Sequence, residues 1–136
     1  MSFSIKRKIN FYETDAQGVV HHSNYPRYFE EFRGEFLERL GLPYHKVRED
    51  LKTDIVLLTL YVKYKKPVKF GEVIRIEGDI KIKNKYFFSF DYKIFVGNEL
   101  RTEGKTEHCC ISITNGKIIS IPKEILEKIK EAKNDK

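Results

Sequence analysis

Apolar residues recur every three or four positions over residues 25–40, and this spacing predicts an amphipathic helix with a wide aromatic face. The residues on that face are Tyr25, Tyr28, Phe29, Phe32, Phe36, Leu37 and Leu40. Gly41 and Pro43 follow, and both are typical of a helix end. A helix of this length would extend about 24 Å, enough to form the hydrophobic axis of a small domain. Gly34 inside it indicates either a close approach by another group or simple tolerance.

Alternation of apolar and polar residues predicts that the other main elements are strands. It covers residues 4–12 before the helix and residues 55–65, 73–82, 86–96 and 99–113 after it. The later strands are separated by the turn sequences Asn84-Lys85, Gly97-Asn98 and Asn115-Gly116. One strand, a long helix and then successive hairpins indicate an α+β fold rather than a parallel α/β sheet. The 136 residues are expected to form a single domain.

Shorter segments complete the predicted architecture. Residues 44–50 form either a short helix or a loop, and residues 118–121 form a short edge strand. Residues 122–136 form a last helix, whose lysine-rich end from Lys130 is expected to fray. Gly78 predicts a bend or bulge in its strand.

The strand predicted over residues 55–65 differs from the others because its first part is almost continuously apolar. A strand with one wet face would alternate throughout, so both faces of this part must be covered. The helix can cover one face, and a second subunit or a ligand has to cover the other. This segment is therefore the clearest sign of a homodimer in the sequence.

The candidate chemistry lies in a predicted loop from Asp15 to Ser23, between a strand ending at Tyr12 and the helix. Asn24 or Ser23 can cap the helix with a side-chain oxygen, and Pro26 suits its first turn. A carboxylate thus precedes a helix N-terminus, whose free N–H groups can stabilise an oxyanion. This combination is the minimum equipment for acyl transfer. The alternative is that Asp15 only hydrogen-bonds its own turn or caps the helix.

The run YETDAQGVVHHSNYPRYFEEFR, residues 12–33, resembles the signature of the 4-hydroxybenzoyl-CoA thioesterase family of hotdog-fold acyl-CoA thioesterases. The resemblance implies a long central helix wrapped by a curved antiparallel sheet of about five strands, here with a short C-terminal helix. It also implies hydrolysis of an acyl-CoA to the free acid and CoA, with no cofactor. Obligate oligomers are implied as well, and we expect a homodimer assembled further into a homotetramer, a dimer of dimers.

The same resemblance implies roles for individual residues. Asp15 would be the nucleophile or general base, and the backbone N–H near His22 would polarise the thioester carbonyl. The predicted substrate-binding residues are Gly18, Val19, Val20, Asn24, Tyr25 and Glu30. Gly18 either has a positive φ, in a turn that lets the backbone approach the thioester, or is a plain turn glycine.

Two positions in this region have open roles. Glu30 is a reserve base, because a helix-borne Glu is catalytic in another branch of hotdog thioesterases, or it only places favourable charge near the helix N-terminus. Phe11 stands where related short-chain members have Tyr, and Tyr12 is its neighbour. A catalytic phenol at this position is therefore in question.

The charge balance limits the classes of molecule that the protein is expected to bind. The chain has 26 Lys and Arg against 20 Asp and Glu, a net charge of +6, which favours anions such as CoA or nucleic acid. We expect no nucleic-acid partner, because the aromatics fall on predicted inward faces instead of standing exposed beside basic clusters. Lysines at strand ends form either a phosphate site or a solvated face: Lys63, Lys65, Lys66, Lys69, Lys81, Lys83 and Lys85. A non-catalytic acyl-CoA-binding or sensor protein is the main alternative to the enzyme.

Other residue types indicate what the protein lacks. The N-terminal residues have no apolar signal-peptide region and no segment is long enough to span a membrane, so we expect a cytoplasmic protein. His21 and His22 are adjacent and unsuited to a shared metal, and we predict no metal site. Cys109 and Cys110 are expected to be buried small hydrophobes, with a bulge or a covered sheet end to accommodate Cys109. His108 is expected to face the interior or an interface.

Overall fold

The computed structural model describes residues 3–134, in which three α-helices accompany one six-stranded sheet. The elements are β1 (Phe3–Lys8), α1 (Tyr25–Arg39), α2 (Tyr44–Leu51), β2 (Thr53–Tyr64), β3 (Val73–Ile82), β4 (Phe87–Val96), β5 (Glu99–Ser112), β6 (Ile118–Ile119) and α3 (Lys123–Asn134). The strand order is β1-β3-β4-β5-β2, β6 pairs with β5, and every pair is antiparallel. The predicted α+β fold, with a long helix, an antiparallel sheet and a C-terminal helix, is confirmed.

Helix α1 packs so closely on the sheet that two strand glycines are required beneath it. A Cβ added at Gly78 would lie 2.4 Å from the ring of Phe32, and one added at Gly104 would lie 2.3 Å from the ring of Phe29. The Phe29 ring is fully buried and stacks on Tyr92, with 4.2 Å between ring centroids. The two glycines therefore set the distance between helix and sheet.

This packing corrects the predicted role of Gly78. The pairing of β3 with β4 runs through Gly78 without a register shift, so a bulge at Gly78 is wrong, while a bend there stays a prediction. A glycine is needed there because the Phe32 ring occupies the space of a side chain. Gly34 in α1 has no such neighbour, since an added Cβ would lie 3.6 Å from the ring of Tyr44, an ordinary contact.

Several predicted element ends also differ from the structure. β1 ends at Lys8 rather than at Tyr12, and Phe11–Glu13 form a 3-10 turn. The Glu13 carboxylate closes this turn by accepting the N–H of Asn10 at 2.8 Å. Residues 44–51 are helical, and α3 continues through Lys130 to Asn134, while fraying of its lysine-rich end stays a prediction. Residues 135 and 136 lie outside the described range.

Strand β2 lies at an edge of the sheet, where it pairs with β5, and it exposes large apolar side chains. These are Leu57, Leu58, Leu60, Tyr61 and Tyr64, each between 44% and 56% exposed. The pairing with β5 shifts between Leu57 and Thr59, which is a bulge in β2. The single chain therefore leaves this apolar edge uncovered. The sequence pattern predicts that a second subunit or a ligand covers it.

Strand β5 carries buried groups that the sequence places inside. Cys109, Cys110 and His108 are each at most 1% exposed, and both thiols are free. Burial raises the pKa of the Cys110 thiol to about 12, which makes it unreactive at neutral pH. In the part of the chain that the structure describes, no helix has both the length and the apolar character needed to cross a membrane.

Candidate active site

The loop predicted from Asp15 to Ser23 is a tight hairpin followed by a helical turn. Thr14 and Val20 form an antiparallel bridge, and the N–H of Asp15 donates to the carbonyl of Val19 at 2.9 Å. The N–H of Gly18 donates to the carbonyl of Asp15 at 3.0 Å, which closes the turn. Gly18 has φ +78°, so the predicted positive-φ turn is confirmed.

The hairpin is attached to the segment that leads into β3. Val20 N–H donates to Val68 O at 2.8 Å, and Phe70 N–H donates to Gly18 O at 3.1 Å. These bonds hold one arm of the hairpin along residues 68–70. The Asp15 turn is therefore part of a small backbone-paired layer rather than a free loop.

The Asp15 carboxylate is exposed at the start of this turn. Its Oδ1 accepts the N–H of Gln17 at 2.8 Å, the contact with its own turn that the sequence offers as the alternative role. The hydrogen bonds and ion pairs found among residues 3–134 do not use Oδ2. A carboxylate has several acceptor positions, so the turn contact fixes the side chain while leaving an oxygen available.

The start of α1 is capped differently from the prediction. Asn24 occupies the N-cap position but makes no side-chain cap bond, because its Nδ2 donates to the carbonyl of Glu13 at 2.7 Å. A 3-10 turn, His22–Asn24, precedes the helix instead. The Nδ1 of His21 accepts the N–H of Ser23 at 3.2 Å and bonds its hydroxyl at 2.8 Å. Capping by Asn24 or Ser23 is therefore wrong, and the His21 side chain caps the 3-10 turn instead.

This turn leaves the backbone N–H of His22 available. His22 is the first residue of the 3-10 turn, so its N–H has no acceptor within the turn. The backbone bonds outside regular elements, over the range that the structure describes, do not include this N–H. The carbonyl of His22 accepts the hydroxyl of Tyr64 at 3.2 Å, which links the turn to the end of β2.

A cleft of about 280 Å³ opens beside His22. Its lining comprises Val20, His22, Tyr25, Tyr64, Lys65, Lys66 and Pro67. The two lysines pair with acids, Lys65 with Glu103 at 3.1 Å and Lys66 with Glu99 at 2.7 Å. Larger depressions lie on the outer sheet face and between α1 and β1, but charged surface side chains line them and neither touches the hairpin.

The structure separates the predicted site residues into groups. His22, Val20 and Tyr25 line the cleft, and burial raises the pKa of the Tyr25 hydroxyl. Asp15, Gly18 and Val19 lie in the adjacent hairpin but do not line the cleft. Asn24 is 7% exposed and bonded inward, while Glu30 is exposed on α1. The functional roles of these residues stay predictions, as does a role for Tyr12, which is 79% exposed.

Sequence reasoning missed Glu13, a buried carboxylate next to this site. It is 4% exposed and forms an ion pair with Arg7 at 2.6 Å. The available signal was the spacing of Asn10 and Glu13, which matches that of a capping box. Across residues 3–134, no group of three or more His, Cys, Asp or Glu side chains is arranged to hold a metal ion.

Comparison with known proteins agrees with the fold and with the signature. A crystal structure of a hypothetical protein from Aquifex aeolicus superposes with a TM-score of 0.88 and 46% identity, covering 93% of this chain and 98% of that one. An acyl-CoA thioesterase YbgC from Haemophilus influenzae is 24% identical over 123 residues, 90% of each protein. A 1,4-dihydroxy-2-naphthoyl-CoA hydrolase from Prochlorococcus marinus subsp. pastoris is 27% identical over 96% of this chain and 89% of its own length. Residues 9–129 match the thioesterase-like superfamily, and the chain belongs to that superfamily as a thioester hydrolase with the predicted hotdog fold.

Proposed function

We propose that this protein hydrolyses an acyl-CoA to the free acid and CoA, with Asp15 as nucleophile or general base and the N–H groups near His22 as the oxyanion hole. The observation that carries the proposal is the hairpin itself. It pairs Asp15 with Val19, and His22 begins the helical turn three residues later, a distance of roughly 10 Å along extended chain. The proposed reaction requires the thioester carbon to lie between the Asp15 carboxylate and the His22 N–H.

The chemical step has two balanced routes. In the first, a carboxylate oxygen of Asp15 attacks the thioester carbon, the C–S bond breaks, and the CoA sulfur leaves with the electron pair and takes a proton. Water then cleaves the resulting acyl anhydride. In the second, Asp15 takes a proton from a water molecule as that water attacks the thioester carbon, the C–S bond breaks, and the CoA sulfur leaves with the electron pair and takes the proton. Both routes place negative charge on the carbonyl oxygen, which the N–H of His22 would stabilise.

Label in the Asp15 carboxylate after a single turnover in water enriched with oxygen-18 identifies the nucleophilic route. If Asp15 is the nucleophile, water attacks the anhydride and the label can enter the Asp15 carboxylate. If Asp15 is a general base, the label appears in the released acid and not in the protein. Mass spectrometry of the peptide that contains Asp15 reads the result.

The substrate class follows from the relatives and from the charge of the cleft. Both named relatives act on CoA thioesters, and the net charge of +6 favours a polyanionic substrate. Lys65 and Lys66 lie at the cleft beside His22, and both are partly exposed, so we propose that they bind the phosphates of CoA in exchange for their carboxylate partners. The reaction needs water, a carboxylate and oxyanion donors, so no cofactor is proposed. The cytoplasmic location stays a prediction.

We also propose a homodimer formed through β2, assembled further into a tetramer. Exposed apolar side chains along an edge strand favour pairing with a second strand, and a second copy of β2 would cover Leu58 and Tyr61. The cleft beside His22 includes Tyr64 of this edge, so the partner would adjoin the site. Sedimentation velocity tests the proposal, and a single chain at micromolar concentration would contradict it.

Release of free CoA from a panel of acyl-CoAs tests the proposed function. We expect Asp15→Asn to fold like the wild type and to lose about 10²–10⁴ in kcat, the usual contribution of a catalytic acid or base. Asp50→Asn is the matched control, because Asp50 is an exposed carboxylate on α2 away from the hairpin. Wild-type turnover by Asp15→Asn would remove Asp15 from the mechanism. Acyl-CoA binding without turnover by the wild type would instead indicate the non-catalytic sensor.

A further inference from the structure

The buried carboxylate of Glu13 has no assigned role, although two protein groups bind one of its oxygens. Its Oε1 accepts Arg7 Nη1 at 2.6 Å and the N–H of Asn10 at 2.8 Å. Burial alone would raise the pKa of Glu13, but the hydrogen bonds from Arg7 and Asn10 outweigh that effect and hold the pKa below its usual value. Glu13 is therefore ionised at neutral pH, and groups of the protein bind its carboxylate.

The backbone of the same residue holds the other arm of the hairpin. The carbonyl of Glu13 accepts the N–H of His21 at 3.0 Å and the Nδ2 of Asn24 at 2.7 Å. His21 directly precedes His22, and Asn24 is the N-cap of α1. A displacement of Glu13 would therefore move the oxyanion N–H and the helix start, as well as Asp15 two residues further along the chain.

Arg7 connects this residue to the main elements. It lies in β1, paired with Ile74 of β3, and its guanidinium stands 4.7 Å from the ring centroid of Tyr28 in α1. Its Nε also donates to Glu31 of α1 at 2.6 Å. The ion pair with Glu13 thus links the hairpin to a paired strand and to the central helix.

We propose that Glu13 is a positioning residue for the hydrolysis, which holds the backbone from Asp15 to His22 against β1 and α1 through Arg7. The inference rests on the proposed function. Glu13 is enclosed and does not line the cleft, so it acts through the groups it holds rather than on the substrate.

Two matched variants test the proposal, because Arg7 has two carboxylate partners and only one of them holds the hairpin. Glu13→Gln should lower kcat by about tenfold to a hundredfold, the effect expected from misplaced reacting groups, and change KM by less than about twofold. Glu31→Gln removes the exposed partner and should leave both constants within about twofold of the wild type. Both variants are assayed at a temperature where circular dichroism shows them fully folded.

An unchanged kcat in Glu13→Gln, or an equal loss in Glu31→Gln, overturns the proposal. If Glu13→Gln does not fold, Arg7→Lys takes its place, because Lys keeps the charge but cannot bind both carboxylates in the same geometry. We expect a fall in kcat of the same kind and of at least about threefold. A wild-type kcat in Arg7→Lys then overturns the proposal.

Amide hydrogen exchange provides a readout that does not depend on turnover. The N–H of His21 donates to Glu13, so its exchange should accelerate at least about tenfold in Glu13→Gln, while that of Ile76 in β3 stays unchanged. If the wild type releases no CoA from any acyl-CoA, the proposed function fails. The exchange measurement still tests whether Glu13 holds the hairpin in place. Unchanged His21 exchange in Glu13→Gln overturns the anchoring role.

Discussion

Replacing Gly104 by Ala should destabilise the protein through a single added methyl group. The new Cβ would lie 2.3 Å from Cζ and 2.5 Å from Cε2 of Phe29, whereas carbon atoms in favourable contact are about 3.5–4.0 Å apart. Either the ring or β5 would have to move by more than about 1 Å. The ring has no free space to enter, because it is fully buried and stacked on Tyr92.

The expected cost combines two opposed effects. Overpacking a well-filled interior costs about 1–3 kcal/mol. Replacing a strand glycine by Ala recovers about 0.5–1 kcal/mol of backbone entropy. The Gly104 clash is at the severe end, since it sets a strand backbone against a fully buried ring. We therefore expect a net loss of about 2 kcal/mol in the free energy of unfolding.

Gly34→Ala is the matched control, because it makes the same chemical change where space exists. Its Cβ would meet the Tyr44 ring at 3.6 Å, and an interior helix position should gain about 1 kcal/mol from Ala. Urea unfolding at one fixed chain concentration measures both variants, since association would otherwise shift the midpoints. Midpoints that move in the same direction, or a Gly104→Ala variant as stable as the wild type, would refute the packing argument.

Two further predictions concern buried and linking groups. Burial and the Arg33 charge lower the pKa of His108 from 6.5 to about 4, so the unfolded chain binds the proton first as the pH falls through this range. The free energy of unfolding at pH 5 should then be on the order of 2 kcal/mol below that at pH 8. In urea titrations, His108→Gln should reduce this dependence of stability on pH. An unchanged dependence would exclude His108 as its source. Tyr64→Phe removes the hydroxyl bound to His22 and should lower kcat about fivefold, whereas Tyr61→Phe, on the same exposed strand edge, should not; equal effects would contradict a specific role for Tyr64.

The elements that could be predicted are those whose signal is long and local. Helix α1 was expected over residues 25–40 and spans Tyr25–Arg39, and β3 spans Val73–Ile82 as expected. Their apolar positions repeat over many residues, so tertiary contacts reinforce the pattern. The role of Gly78 could not be predicted in the same way, because the Phe32 ring that requires it is distant in sequence.

The predictions for the candidate site also succeed where the signal is local and fail where a distant residue decides the contact. The turn from Asp15 to Gly18 follows from local chemistry, and its positive φ was predictable from the glycine alone. The capping prediction for Asn24 failed because a partner outside the helix, the carbonyl of Glu13, takes its side chain. A local capping rule pairs the Asn24 side chain with the nearest unsatisfied backbone groups of the helix. Its actual partner, the Glu13 carbonyl, comes close only in the folded hairpin.

The roles proposed for Glu13 and Asp15 explain why the positioning residue lies so close to the catalytic one. Asp15 has to be open to the substrate, so its own contacts can fix it only weakly. Two residues away, Glu13 is buried and binds four groups through its side chain and carbonyl, and those contacts need no exposure. Glu13 ends the 3-10 turn and Asp15 begins the hairpin turn, so the change of backbone conformation between them lets one short stretch hold a buried carboxylate and an exposed one. In the proposed mechanism, the placement of the His22 N–H then depends on how closely α1 packs on the sheet, which Gly104 limits from a strand that the substrate need not touch.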